Sequence, residues 1–171
     1  MTGDLAALER ELLDLGARSR ALLEAAATRN LALAAAESCT GGLIAATLTG
    51  IEGVSSCFRG GFVTYCNEAK TAMLGIPAAD IERFGVVSPQ IAVAMARQAR
   101  ILAGADLAVG VTGFTGDAGE DNENGLVHIA VAHGDGDLAR ELHFGDVERN
   151  EGRAHGAAAA LDLLREAVAR F

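Results

Sequence analysis

The chain has 171 residues, 50% of them hydrophobic and 22% charged, which is typical of a globular protein and excludes an intrinsically disordered one. Lys and Arg total 14 against 23 Asp and Glu, and the net charge of −9 disfavours binding to DNA, RNA or an anionic membrane surface. Trp is absent and aromatic residues are only 4%, which argues against base stacking. The length predicts a single domain over residues 1–171.

The cysteine and histidine residues predict neither a disulfide framework nor a metal site. Cys39, Cys57 and Cys66 are an odd number without Cys-x-x-Cys spacing, which is typical of a reducing cytoplasm. The four histidines lack the His-x-x-x-His spacing of zinc ligands. No apolar run is long enough to span a bilayer, and the acidic N-terminus does not resemble a signal peptide. We therefore expect a cytoplasmic protein without metal or other cofactor.

The first half of the chain alternates between helical and extended patterns. Leucines recur at helical spacing near the N-terminus, and apolar runs bounded by glycine follow. The predicted elements are a helix over 4–28, either continuous or broken at Gly16, a strand over 31–37, and a helix that begins at Gly41 and Gly42. They continue with an extended run within 55–65 that ends at Tyr65, and a short helix capped by Asn67 and ended by Gly75 and Pro77.

The second half continues the alternation. A serine before a proline predicts a helix start, because the serine can cap the helix and the proline lacks only an N–H that would have no partner there. The predicted elements are a helix from Ser88-Pro89 to about Ala103, a strand over 106–112, two strands joined at Gly134–Gly136, and a C-terminal helix over 152–171.

Helices that alternate with apolar strands predict an α/β protein, a three-layer α/β/α sandwich with a mixed, mostly parallel sheet. The last two strands are expected to form a hairpin. Ligands of such sheets bind beyond the carboxyl ends of the strands. Three loops satisfy this condition, and they contain Ser38, Tyr65 and Thr112.

Ser38 lies between the first strand and its helix, in the segment "AESCTGG". It can simply cap the helix, or it can act as a nucleophile at the positive end of the helix, beside N–H groups that stabilise an oxyanion. The glycines Gly41 and Gly42 favour the second interpretation, because they let a ligand approach the backbone. Thr40 lies next to these glycines, and Gly113 follows the strand that ends at Thr112. Thr40, Gly41, Gly42 and Gly113 are therefore candidates for substrate binding.

A serine nucleophile needs a base, and Lys70 is the candidate. It can be a solvated surface lysine, or it can lie in the first turn of its helix, where the helix field lowers the pKa of the amine. Tyr65 can be a packing residue or a proton relay that also contacts a flat substrate. Thr112 fits a strand interior but can donate a hydrogen bond to the substrate.

The anion-binding candidates lie near the C-terminus. Arg149 and Arg153 can be solvated residues at a helix start or can clamp a phosphate. The glycine-rich loop over 113–125 is a weaker candidate, because four acidic residues make it negatively charged: Asp117, Glu120, Asp121 and Glu123.

Four segments together resemble the C-terminal domain of CinA, the competence/damage-inducible protein, a family that also includes stand-alone nicotinamide mononucleotide (NMN) amidohydrolases. They are "AESCTGG" (36–42), "GGFVTYCNEAK" (60–70), "GVVSP" (85–89) and "AVGVTG" (108–113). The resemblance covers residues 5 to 170. The family usually has Gly-Ile-Ala-Gly-Pro after the third of its strands, where this chain reads Gly113-Phe114-Thr115-Gly116-Asp117.

The resemblance implies an α/β/α fold, a homodimer or higher oligomer, and no metal. It implies deamidation of NMN to nicotinate mononucleotide and ammonia, with Ser38 as nucleophile and Lys70 as its base. Tyr65 and Thr112 would assist at the carboxamide, and Arg153 would contact the nucleotide. The alternative is a non-catalytic or regulatory nucleotide-binding module with the same fold. A DNA-processing function, which the family's name suggests, conflicts with the net charge.

Overall fold

The structure, a computed structural model, describes residues 2–53, 55–116, 118–120 and 122–171, without the side chains of residues 2–9 and 55. Asp117 and Asp121, two acids of the predicted acidic loop, lie outside the described residues. The elements are α1 (Thr2–Thr28), β1 (Leu33–Glu37), α2 (Leu43–Thr49), a 3₁₀ turn (Ser55–Cys57), β2 (Phe58–Val63), α3 (Asn67–Leu74), α4 (Ala78–Phe84), α5 (Pro89–Ala103), β3 (Leu107–Gly113), β4 (Leu126–His133), β5 (Gly136–His143) and α6 (Arg149–Val168).

The strands form one five-stranded sheet in the order β2-β1-β3-β4-β5. β1 pairs in parallel with both β2 and β3, whereas β4 is antiparallel to β3 and to β5. The predicted α/β fold, the mixed sheet and the β4–β5 hairpin are confirmed. β2, the next strand in the chain after β1, pairs with one edge of β1, and β3 pairs with the other edge. The carboxyl ends of β1 and β3 therefore flank a crevice at a topological switch point, where α/β sheets bind ligands.

Helices cover both faces of the sheet, and the two faces differ in side-chain size. The face towards α1, α2 and α6 carries Leu, Val and Ile from β1, β3 and β4. On the face towards α5, the buried hydrophobic residues of the same strands are all alanines. At Gly110 in β3 a Cβ atom would lie 2.3 Å from the carbonyl oxygen of Ala92 in α5. The alanines and this glycine let α5 pack directly on the backbone of the sheet.

Most helix boundaries agree with the sequence pattern. α1 continues through Gly16 without a break, and the Ser88 hydroxyl accepts a hydrogen bond from the N–H of Ile91 at the start of α5. The prediction that Asn67 caps α3 is wrong: Asn67 is the first helical residue, and Cys66 occupies the cap position without a side-chain hydrogen bond. The helix α4 was not predicted from the sequence.

No helix in the described part of the chain is both long and apolar enough to cross a bilayer. The same residues contain no group of three His, Cys, Asp or Glu side chains arranged to hold a metal ion.

Candidate active site

The side chains of Ser38 and Lys70 meet at the carboxyl edge of the sheet. Ser38 follows β1 directly, and its N–H donates to the carbonyl oxygen of Val111 in β3, which holds the residue at the strand end. Lys70 lies in the first turn of α3. Its Nζ atom is 3.0 Å from Ser38 Oγ and donates to the Thr64 carbonyl oxygen at 2.8 Å. The two residues are therefore within hydrogen-bonding distance, as a nucleophile and its base must be.

Lys70 is fully buried, with 0% of its surface exposed, so it is not a solvated surface lysine. Burial lowers the pKa of the amine below its ordinary value, and the neighbouring thiols of Cys39 and Cys66 oppose the shift. The sequence predicted a lowered pKa from the helix field, whereas desolvation is the principal cause in the structure. A neutral amine at this position can accept the proton of the Ser38 hydroxyl.

The carboxylate of Glu37, the last residue of β1, is completely buried beneath the loop that contains Ser38. One of its oxygens, Oε2, accepts hydrogen bonds from Thr40 Oγ1 at 2.8 Å, from Gly42 N at 3.0 Å and from Ile44 N at 3.1 Å. The other, Oε1, accepts from Ala45 N at 2.8 Å. Sequence reasoning did not select Glu37, although an acidic residue at the end of an apolar strand was a visible signal.

The start of α2 is therefore occupied by protein and not open to a ligand. Thr40 is fully buried and its hydroxyl binds Glu37. The backbone of Gly41 faces the Arg153 guanidinium, and that of Gly42 faces the side chain of Val63. Both glycines have positive φ angles, 61° and 92°, so they serve the turn. None of these three substrate-binding candidates lines the cavity at Ser38.

A cavity of about 240 Å³ opens beside Ser38. Tyr65 and Arg149 stand at its rim: Arg149 is the first residue of α6, and its NH1 lies 3.4 Å from the Tyr65 hydroxyl. Tyr65 is 66% exposed, so its ring is not a core residue. The lining residues are Ser38, Cys39, Tyr65, Asn67, Val86, Val87, Thr112, Gly113, Phe114, Thr115, Gly116 and Arg149.

Thr112 and Gly113 line the cavity but also have structural contacts. The Thr112 hydroxyl donates to the Val86 carbonyl oxygen at 2.8 Å, so towards a ligand it offers lone pairs and not its hydrogen. A Cβ atom at Gly113 would lie 2.7 Å from the Leu126 carbonyl oxygen, which means that packing against β4 requires glycine there. Thr115, which sequence reasoning missed, is buried in the same wall of the cavity.

Arg153 lies on the other side of the Ser38 loop. Its Nε and NH2 atoms donate to the Thr40 carbonyl oxygen at 3.3 and 3.2 Å, and its NH1 donates to Asn150 Oδ1 at 3.2 Å. It lines a separate cavity of about 220 Å³, between α1 and α6. Of the two predicted anion-binding arginines, the structure thus brings only Arg149 to the cavity at Ser38.

The acidic loop after β3 is held against β5. Glu123 Oε1 lies 2.6 Å from Nδ1 of His143, and Asn124 Nδ2 donates to Asp146 Oδ1 at 2.7 Å. The hydrogen bond to Glu123 raises the pKa of His143, and the contact with Glu141 adds to this. The Glu123 carboxylate therefore points to β5 and not to the Ser38 cavity.

Two further features border the cavity. Burial raises the pKa of the Cys39 thiol to about 12, so this cysteine stays protonated and unreactive at neutral pH. A larger, mostly apolar cavity of about 570 Å³ between α3 and α4 shares Asn67 and Val86 with the cavity at Ser38. It contains no nucleophile–base pair, so the chemistry points to the smaller cavity.

Comparison with known proteins identifies the family of the chain. Residues 17–168 match the family model described as the CinA C-terminal domain. A CinA-like protein of Geobacter sulfurreducens is 48% identical over 139 residues, which are 80% of this chain and 33% of that protein. A putative competence-damage inducible protein of Streptococcus agalactiae is 39% identical over 159 residues, 92% of this chain and 38% of that protein.

Solved structures give the same result. The competence/damage inducible protein CihA of Agrobacterium tumefaciens superposes with a TM-score of 0.86 at 40% identity, covering 91% of this chain and 96% of that chain. A competence damage-inducible protein A of Klebsiella pneumoniae gives 0.87 at 29% identity, covering 92% and 98%. The chain spans about a third of the length of the curated relatives it matches. It belongs to the CinA C-terminal domain family.

Proposed function

We propose that the protein is an amidohydrolase that deamidates the carboxamide of a nicotinamide nucleotide, NMN in the first place. The principal support is the distance of 3.0 Å between Lys70 Nζ and Ser38 Oγ, with the amine fully buried and its pKa lowered. A buried amine next to a hydroxyl at a strand end is the arrangement of a Ser–Lys dyad. The family resemblance supplies the substrate.

In the first half-reaction the Ser38 hydroxyl attacks the amide carbon, and its proton passes to the neutral amine of Lys70. The tetrahedral intermediate collapses when the ammonium of Lys70 gives this proton to the departing nitrogen. Ammonia leaves, and the acyl group remains on Ser38 as an ester.

In the second half-reaction a water molecule attacks the ester. Lys70 takes a proton from the water and returns it to Ser38 Oγ as the C–O bond breaks. The products are the nucleotide carboxylate and the free enzyme, so each proton taken up by Lys70 is released again.

The oxyanion needs hydrogen-bond donors, and those of α2 are not available. The N–H groups of Gly42, Ile44 and Ala45 already donate to Glu37. The N–H groups of Cys39 and Thr40 donate to no oxygen atom of the described residues and are directed to the sulfur of Cys39, a weak acceptor. In this proposal they bind the oxyanion instead.

The phosphate of the substrate is assigned to Arg149. This exposed arginine stands at the cavity rim and at the N-terminus of α6, where the helix field also favours an anion. Tyr65 beside it offers an exposed ring for the flat pyridine.

The test is an ammonia-release assay of the purified protein with NMN, nicotinamide riboside and nicotinamide. We expect NMN to be hydrolysed fastest, because only NMN carries the phosphate for Arg149. The Ser38→Ala variant should release no ammonia above background. Undiminished turnover in that variant would refute the assignment of the nucleophile.

The alternative from sequence was a non-catalytic nucleotide-binding module, and the acidic loop was the reason for considering it. The contact between Glu123 and His143 weakens that reason, because the Glu123 carboxylate is directed to β5. Calorimetric binding of NMN without ammonia release would select the module.

A further inference from the structure

The loop that carries the proposed nucleophile is held from beneath by a buried carboxylate. Glu37 has no exposed surface, and its two oxygens accept four hydrogen bonds of 2.8 to 3.1 Å. The donors are the hydroxyl of Thr40 and the backbone N–H groups of three residues between 42 and 45. These donors extend from Thr40, in the loop, to Ala45, in the first turn of α2.

This arrangement exceeds what a helix start needs. α5 begins in the same protein with one hydrogen bond, from the N–H of Ile91 to the Ser88 hydroxyl. A cap of that kind satisfies one donor and can remain near solvent. Burying a full negative charge without water is unfavourable, unless several donors compensate for the lost hydration, as they do at Glu37.

Glu37 also contacts the second half of the dyad through its backbone. Its carbonyl oxygen accepts a hydrogen bond from the N–H of Thr64 at 2.8 Å, and the Thr64 carbonyl oxygen accepts one from Lys70 Nζ. The side chain of Glu37 therefore fixes the loop after Ser38, while its backbone is tied to the strand end that holds Lys70.

We propose that Glu37 is a positioning residue, whose carboxylate holds the 38–42 loop in the conformation that brings the Ser38 hydroxyl to the Lys70 amine. The inference rests on the proposed role of Ser38 as nucleophile. It also changes the role of the Thr40 side chain, whose hydroxyl becomes a donor to Glu37 and not a substrate ligand. A misplaced nucleophile lowers the rate of the chemical step and leaves substrate affinity nearly unchanged.

The test uses two levels of perturbation and a matched control. Glu37→Gln replaces one carboxylate oxygen by an NH₂ group that faces N–H donors. Thr40→Val removes a single donor and keeps the side-chain shape, and Thr40→Ser restores the hydroxyl. Asp106→Asn is the control: it makes the same carboxylate-to-amide change at the opposite end of β1, where Asp106 accepts the N–H of Ala32.

Two readouts are needed. In the NMN assay we expect kcat to fall about 100-fold in Glu37→Gln and about tenfold in Thr40→Val, with KM within about twofold. The second readout is the rate at which phenylmethylsulfonyl fluoride labels Ser38, followed by mass spectrometry. There the Ser38 Oγ–S bond forms, fluoride leaves, and the proton passes to Lys70, so the rate reports the dyad without any substrate. We expect the same order of rates, with Asp106→Asn near the unaltered protein and Thr40→Ser labelled faster than Thr40→Val because it keeps the hydroxyl.

The outcomes separate this inference from the proposed substrate. Slower labelling of Ser38 in Glu37→Gln and Thr40→Val supports the positioning role, even if no carboxamide tested releases ammonia. Equal labelling rates in these variants and in the unaltered protein would overturn it. A changed KM with unchanged kcat in Thr40→Val would also overturn it, because the Thr40 side chain would then contact substrate. If the unaltered protein is not labelled at Ser38, both the nucleophile and its positioning residue are refuted.

Discussion

In the proposed mechanism, Lys70 is a side chain that is unfavourable for folding and necessary for the reaction. An amine inside a protein stabilises the folded state less than an apolar side chain of similar size, because its charged form loses hydration. The same loss of hydration lowers the pKa of the amine and so favours the neutral form, which the proposed transfer of the Ser38 proton requires. The burial of Lys70 therefore predicts opposite effects of its removal on stability and on activity.

Replacing Lys70 with Met should lower kcat by about 10³-fold, the contribution expected of a general base, and should raise Tm by about 3 °C at pH 7. Burial lowers the folded-state pKa, so between that value and the ordinary pKa of about 10.4 the unfolded chain binds more protons than the folded one. The stability of the unaltered protein thus rises with pH in this window. Calorimetry at several pH values should show the advantage of the variant shrinking as pH rises. An advantage that grows with pH would contradict a neutral buried amine.

The two arginines of α6 should give different kinetic effects. Arg149 stands at the cavity rim, so Arg149→Met should raise KM for NMN about tenfold and leave kcat nearly unchanged. Arg153 holds the Thr40 carbonyl oxygen, so Arg153→Met should lower kcat and leave KM nearly unchanged. Steady-state kinetics of both variants checks this, and a raised KM in Arg153→Met would return that residue to the substrate site.

The sequence could identify Ser38 and Lys70 because a hydroxyl at a strand end and a lysine in a first helical turn are local patterns. It could not separate Arg149 from Arg153. Both lie near the start of one helix, and only the packing of that helix on the Ser38 loop decides which one reaches the cavity. Glu37 was not identified from the sequence for a similar reason. Its hydrogen-bond donors come from the following turn and helix, and they are brought together only in the folded loop.

At the scale of elements, the alternation of strands and helices was enough to predict the layers, and the glycines and prolines located most boundaries. α4 was missed because its segment is only seven residues long, from Ala78 to Phe84, and has no helical repeat long enough to recognise. The order of the strands was also beyond the sequence, since each apolar run carries the same information about burial and none about its neighbours.

The close contact between β3 and α5 makes a prediction about stability. Gly110→Ala should lower the free energy of unfolding by about 3 kcal/mol, because its new methyl group would overlap the backbone of α5. Gly16→Ala is the matched control: nothing lies within 4 Å of a Cβ there, and alanine in the middle of α1 should add about 0.5–1 kcal/mol. Urea unfolding of both variants measures this. A Gly110→Ala protein as stable as the unaltered one would mean that α5 can move away from the sheet without loss.

At the scale of the whole molecule, the net charge of −9 favours binding of a mononucleotide over binding of a nucleic acid. A mononucleotide presents one phosphate, which a single local cation such as Arg149 can bind. A duplex presents a continuous row of phosphates and requires a basic surface.

We therefore expect no complex with a short DNA duplex, measured by fluorescence anisotropy at about 50 mM salt, where electrostatic binding is strong. A complex that dissociates as the salt concentration is raised would contradict this prediction. The oligomeric state stays a prediction of the family resemblance.

The hydrogen bond from Lys70 to the Thr64 carbonyl has a stereochemical consequence. A neutral primary amine has two hydrogens and one lone pair. With one hydrogen directed to Thr64, the lone pair can point at Ser38 while the amine keeps its rotamer. In the proposed reaction, Lys70 could then take the proton from Ser38 and give it to the leaving group without a change of its side-chain torsion angles. Only the transferred hydrogen would have to move between the two.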